Sequence, residues 1–69
     1  MVTISELLEE IDRFLDRHGM SDTTFGVGAV NNSHLVSRLR HGKSVRRSSI
    51  IKIVKFMNRI DQMRRLEAL

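Results

Sequence analysis

Ser21-Asp22-Thr23-Thr24-Phe25-Gly26-Val27-Gly28-Ala29-Val30-Asn31-Asn32-Ser33-His34-Leu35-Val36-Ser37-Arg38-Leu39-Arg40-His41-Gly42-Lys43 is the stretch that decides the fold. It reads as two short helices separated by a tight turn. Ser21 is a good N-cap and opens a helix over about 21–30. Gly26 and Gly28 each weaken that helix by about 1 kcal/mol relative to Ala. A helix carrying both needs tertiary support and a close approach by another backbone. Asn tolerates the left-handed conformation and is also a strong N-cap, so Asn31-Asn32 turns the chain and starts a helix over about 33–41. Leu35, Val36 and Leu39 face inward at helical spacing, leaving Ser33, His34, Ser37, Arg38, Arg40 and His41 outside. Gly42 ends the helix.

Before this stretch, Thr3-Ile4-Ser5-Glu6 has the form of a capping box. Ile4, Leu7, Leu8, Ile11 and Leu15 then form one apolar stripe of a helix over about 4–18, with Glu9 and Arg13 paired on the wet face. His18-Gly19 reads as its end, with His18 as a dipole partner. After the stretch, Lys43-Ser44-Val45-Arg46-Arg47 is a basic loop, and Ser48 or Ser49 caps a last helix over about 49–68. That helix carries two apolar stripes, Ile50, Ile51, Val54 and Met57 beside Ile53, Phe56, Ile60, Met63 and Leu66. Two stripes call for two partners, the core and a second chain; the alternative is that Ile60, Met63 and Leu66 fold back onto the first helix within one chain. Asn58 either leaves this helix continuous or breaks it, with Asp61 as the acid of a second capping box. The expected fold is all-α: one domain over 1–69, a small bundle of four or five helices whose last helix dimerises.

Charge is segregated along the chain. Residues 23–60 hold eight of the twelve Lys and Arg and no carboxylate, while residues 1–22 hold six of the eight acids. One sign gathered over one stretch creates a field that attracts a polyanion, and nucleic acid is the first candidate.

In the same register, residues 20–57 resemble the helix-turn-helix of the lambda-repressor-like (Cro and xenobiotic-response-element) family of DNA-binding proteins. Ser21 falls at the cap of the first helix and Phe25 at its core position. Gly26 and Ala29 fall at the small positions where the helices cross. Asn32 stands at the cap of the recognition helix, Val36 and Leu39 at its buried positions, and Gly42-Lys43 at the terminal pair. The chain departs from that pattern at Val30, where the family usually has Gly, and at Asp22 and Gly28. The resemblance implies a motif over about 21–42 that binds double-stranded DNA.

A helix fits the major groove with its N-terminal end and outer face on the base edges. Asn32, Ser33, His34, Ser37 and Arg38 hold those positions; Arg38 suits guanine and Asn32 adenine. Arg40, His41, Lys43, Arg46, Arg47 and Lys52, with the helix starts at Ser21 and Ser49, suit phosphates. Ile53, Phe56, Ile60, Met63 and Leu66 are the expected dimer face.

Other chemistries fit poorly. No cysteine is present, so neither a disulfide framework nor a thiolate metal site is available. His34 and His41 stand about 10 Å apart along a helix, too far to share a metal. The central segment offers Ser and His without a carboxylate to complete a nucleophilic set, and Gly26-Val27-Gly28 is no phosphate loop. No enzyme activity, cofactor or metal is expected. The start lacks the basic and apolar regions of a signal peptide, and no apolar run spans a bilayer. A cytoplasmic, nucleoid-associated homodimer, repressing transcription from an inverted-repeat operator, is the expected protein. The alternative is an antitoxin-like or other protein-interaction module using the last helix. RNA binding is a third reading, weakened because the three Phe look buried instead of free to stack.

Overall fold

The computed structural model describes residues 3–68; residues 1, 2 and 69, inside the domain bounds expected from the sequence, lie outside that range. The described chain is all-helical: α1 (Ile4–His18), α2 (Asp22–Val30), α3 (Leu35–Arg40) and α4 (Arg47–Glu67). No strand occurs among the described residues, and no helix in them is long and apolar enough to cross a membrane.

α1 has the bounds its capping signals predict. Thr3 is the N-cap and its hydroxyl accepts from the Glu6 amide at 3.1 Å. Gly19, at φ 60, takes the left-handed position that closes the helix. Glu9 does not pair with Arg13; the guanidinium turns one residue over and meets Glu10 at 3.2 Å. Leu7, Ile11, Phe14 and Leu15 are its buried face.

α2 starts on Ser21, whose hydroxyl accepts from the Thr24 amide at 3.2 Å. Its glycines are explained by what stands against them. A methyl group on Gly26 would run into the Asn32 carbonyl oxygen, and one on Gly28 would lie 2.7 Å from the Phe56 ring. The close backbone approach expected at this helix is therefore present at Gly26, whose carbonyl accepts from the Asn32 amide at 3.1 Å. At Gly28 the space is filled instead by an aromatic ring. Asn31, at φ 56, is the one non-glycine residue with positive φ among the described residues and turns the chain.

α3 is shorter than the periodicity suggests. Ser33 and His34 belong to the turn, because the Asn32 side chain accepts from the His34 amide at 2.9 Å and its carbonyl accepts from the Leu35 amide. Asn32 thus organises the helix start from two residues before its cap. Gly42, at φ 78, follows the helix, and the Lys43 amide closes back on the Arg38 carbonyl at 3.0 Å.

α4 begins at Arg47, not at a serine cap. Arg46 is the N-cap in extended conformation without a side-chain bond, its carbonyl accepting from the Ser49 and Ile50 amides. The helix then runs 21 residues without a break at Asn58. Ile53 is fully enclosed, and Ile50, Phe56, Met57 and Ile60 pack half-buried on the core. The core joins these to Phe25, Leu35, Val36 and Leu39. At its centre Phe14, Phe25 and Phe56 meet edge-on, with centroids of 5.5 Å for Phe14–Phe25 and 5.4 Å for Phe25–Phe56.

Candidate nucleic-acid interface

Leu35, Val36 and Leu39 anchor α3 from below, so the residues between them must face out. Ser33, His34, Ser37 and Arg38 are exposed. None of the four makes a side-chain hydrogen bond or ion pair with another described residue. Asn32 is half-buried and its Oδ1 holds the His34 amide, which ties the side chain to the turn and occupies one of the oxygen's two lone pairs. That weakens the adenine role, which uses both ends of the amide.

Beside the start of α3, a recess of about 350 Å³ opens toward the chain leading into α4. Asn32, Arg38, Ser44, Arg46 and Ser49 supply its polar lining over Val30 and Leu35. Arg38 and Arg46, assigned to different tasks by sequence, therefore share one wall. Ser49 stands in the first turn of α4, with its amide already bonded to the Arg46 carbonyl, so its hydroxyl is the group it offers to the recess. Lys43, Arg46, Arg47 and Lys52 are exposed and take part in no ion pair among the described residues.

Arg40 behaves differently from the other cations. Its Nη2 lies 2.6 Å from Asp12 Oδ1 and its Nε lies 3.6 Å from Asp22 Oδ2. The Asp12 hydrogen bond, above all, raises its pKa beyond the ordinary guanidinium value. Its charge is answered within the chain, which counts against the phosphate role expected for Arg40. His41 turns its Nδ1 to the Ser37 carbonyl at 2.7 Å, capping the end of α3, although it stays exposed. Ser21 spends its hydroxyl on Thr24, leaving backbone amides as the donors at the start of α2.

The expected dimer face divides. Ile53 is sealed in its own core and Phe56 and Ile60 pack on that core, so Ile53 is removed from any interface. Met63 and Leu66 remain 50% and 61% exposed. Sequence reading missed the tie between α1 and α4, where Asp61 receives Arg17 at 3.0 Å and His18 at 2.6 Å. An open recess of about 640 Å³ surrounds that tie, lined also by Arg64 and Arg65. The partners lie more than 40 residues apart, beyond the reach of helical spacing rules. Comparison with protein-family models, curated proteins and solved structures gave no match.

Proposed function

We propose that this chain is a sequence-specific double-stranded DNA-binding regulator, with α2 and α3 as a helix-turn-helix and α3 as the helix that enters the major groove. The observation that carries the reading is the exposed face of α3: Ser33, His34, Ser37 and Arg38 present donors without any carboxylate against them. Lys43, Arg46, Arg47 and Lys52 surround that face with cations for phosphates. Asp12 of α1 and Asp22 of α2 engage Arg40 instead.

The chain acts as a cytoplasmic homodimeric repressor in this reading, each half-site taking one α3 about 34 Å from the other. Occupancy alone blocks a promoter, so repression needs no further domain. Selecting bound sites from random duplex DNA, with the light-scattering mass measured alongside, tests it. An inverted-repeat consensus and a mass of two chains are expected. Equal affinity for all duplexes, or none, would overturn the proposal.

A second reading, a protein-interaction module, is favoured by the exposed Met63 and Leu66 at the end of α4. Truncation after Asp61, which keeps Ile60 and the Asp61 tie but removes Met63 and Leu66, separates the two: partner capture would be lost while monomeric DNA contact through α3 remains.

A further inference from the structure

We propose that Arg40 is a positioning residue for the reading face of α3, an inference that rests on the DNA-binding reading. Its guanidinium joins three helices: it sits on the last turn of α3, Asp12 lies mid-way along α1, and Asp22 opens α2. Nη2 meets Asp12 Oδ1 at 2.6 Å, Nη1 meets Asp12 Oδ2 at 3.3 Å, and Nε faces Asp22 Oδ2 at 3.6 Å.

A six-residue helix has little orientation of its own. Leu35, Val36 and Leu39 decide which side of α3 turns outward, but apolar contact sets the fine rotation of so short a helix less sharply than a directional bond does. The Asn32 turn holds one end and Arg40 holds the other. An exposed ion pair in isolation contributes little, but a fork on both carboxylate oxygens with a second acid behind it has directional geometry. Such a fork restricts rotation of α3 about its axis, and with it the direction of Ser37 and Arg38. Lysine, a point charge, cannot reproduce it. Arg40 also offsets one of the two negative charges, on Asp12 and Asp22, that would otherwise repel the polyanion beside α3.

The sequence-level assignment of Arg40 to phosphate and this assignment make opposite predictions for Asp12→Asn. That variant adds positive charge and releases one of the bonds on Arg40. Binding to a selected duplex and to its scrambled counterpart is measured for the parent, Asp12→Asn, Arg40→Ala, Arg40→Lys and the exchange Asp12→Arg/Arg40→Asp. Residual dipolar couplings of α3 amides are recorded on the same free proteins. In the exchange, the new guanidinium faces the carboxylate at position 40.

Positioning predicts that the three single variants turn α3 relative to α4 and lower the selected-to-scrambled ratio about tenfold, the scale of one misplaced base contact. The exchange recovers most of both. Asp12→Asn is nearly isosteric and guards against mistaking misfolding for lost positioning. Unchanged α3 couplings would overturn the inference, as would an Asp12→Asn chain that binds both duplexes more tightly. A parent that prefers no duplex would sink the DNA reading itself, a result visible before any variant is made.

Discussion

His18 Nε2 stands 2.6 Å from Asp61 Oδ1, bridging the end of α1 to the second half of α4. The imidazole side chain is 7% exposed and its ring lies 4.5 Å from the Phe14 ring. Asp61 also receives Arg17, whose guanidinium lies 5.7 Å from the Phe14 ring centre. The His18 bond, foremost, holds the Asp61 carboxyl below its ordinary pKa; partial burial opposes this and Arg17 adds to it.

A carboxyl whose folded pKa is depressed stabilises the fold above its unfolded value, and loses that contribution as pH falls through the folded one. Asp61→Asn should therefore lower stability at neutral pH by about 1 kcal/mol, or roughly 4–8 °C in Tm for a chain of this size. The gap between variant and parent should begin to narrow as pH drops below the ordinary carboxyl value of about 4 and close once pH passes the lower folded value. Thermal unfolding followed by circular dichroism between pH 2 and 7 measures this. A gap independent of pH would remove Asp61 ionisation from the account.

The glycines of α2 make a second prediction, because their surroundings differ. Ala normally favours a helix interior by about 1 kcal/mol over Gly. At Gly26 the obstacle is the Asn32 carbonyl, fixed by its own turn, so Gly26→Ala must push the turn away and should destabilise by about 2 kcal/mol or more. At Gly28 the obstacle is the outer edge of the Phe56 ring, which has some room to move because Phe56 is half-buried. Gly28→Ala should cost less, and Phe56→Leu should relieve part of that cost. Urea denaturation of the two alanine variants ranks them; Gly28→Ala emerging as the worse would contradict the packing described for α2.

These contrasts also mark what was legible in the sequence. Short-range rules found the bounds of α1, the Ser21 cap, the Asn31 turn and the inward set Leu35, Val36 and Leu39, since each depends on residues within four positions. They placed a close approach at the α2 glycines without naming what approaches. Asn32 was read as the cap of α3, but its side chain reaches only the His34 amide and shortens the helix. Periodicity puts Ile53 on the expected dimer face because it shows which residues share a face and not what covers that face, and here the core covers Ile53. Arg40 looked like a phosphate ligand for a related reason: its partners, Asp12 and Asp22, come from other helices.

If the chain binds DNA as proposed, Arg38 and Arg46 allow base reading and phosphate contact to be separated. Arg38→Ala should flatten preference at one base position per half-site, costing about 1–3 kcal/mol there. Arg46→Ala should weaken binding to every duplex by a similar factor and reduce the salt slope by about one counterion. The shared recess sharpens the comparison, since both side chains line it. Equilibrium binding to the selected duplex and its single-base variants, at several salt concentrations, reads both effects. An Arg38→Ala profile that matches Arg46→Ala would move Arg38 into the phosphate-binding set and leave base reading to His34 and Ser37.

Dimerisation is tested most directly at the end of α4. From 62 to 67 every side chain is exposed, so the last turns of the helix project past the core that holds Ile53 and Phe56. Met63 and Leu66, three residues apart, share a face there, and burying both in a second copy would remove apolar surface from water. Leu66→Glu and Met63→Glu should each reduce the light-scattering mass from two chains toward one while leaving Tm at high dilution unchanged. Affinity for an inverted repeat should then fall to that for an isolated half-site. Ile51, 47% exposed, and Val54, 41% exposed, lie nearer the start of α4 and supply the contrast. If Ile51→Lys separates the chains and Leu66→Glu does not, the interface lies on the first half of the helix. A parent mass of one chain would remove the dimer, and the two-fold operator would lose its physical basis.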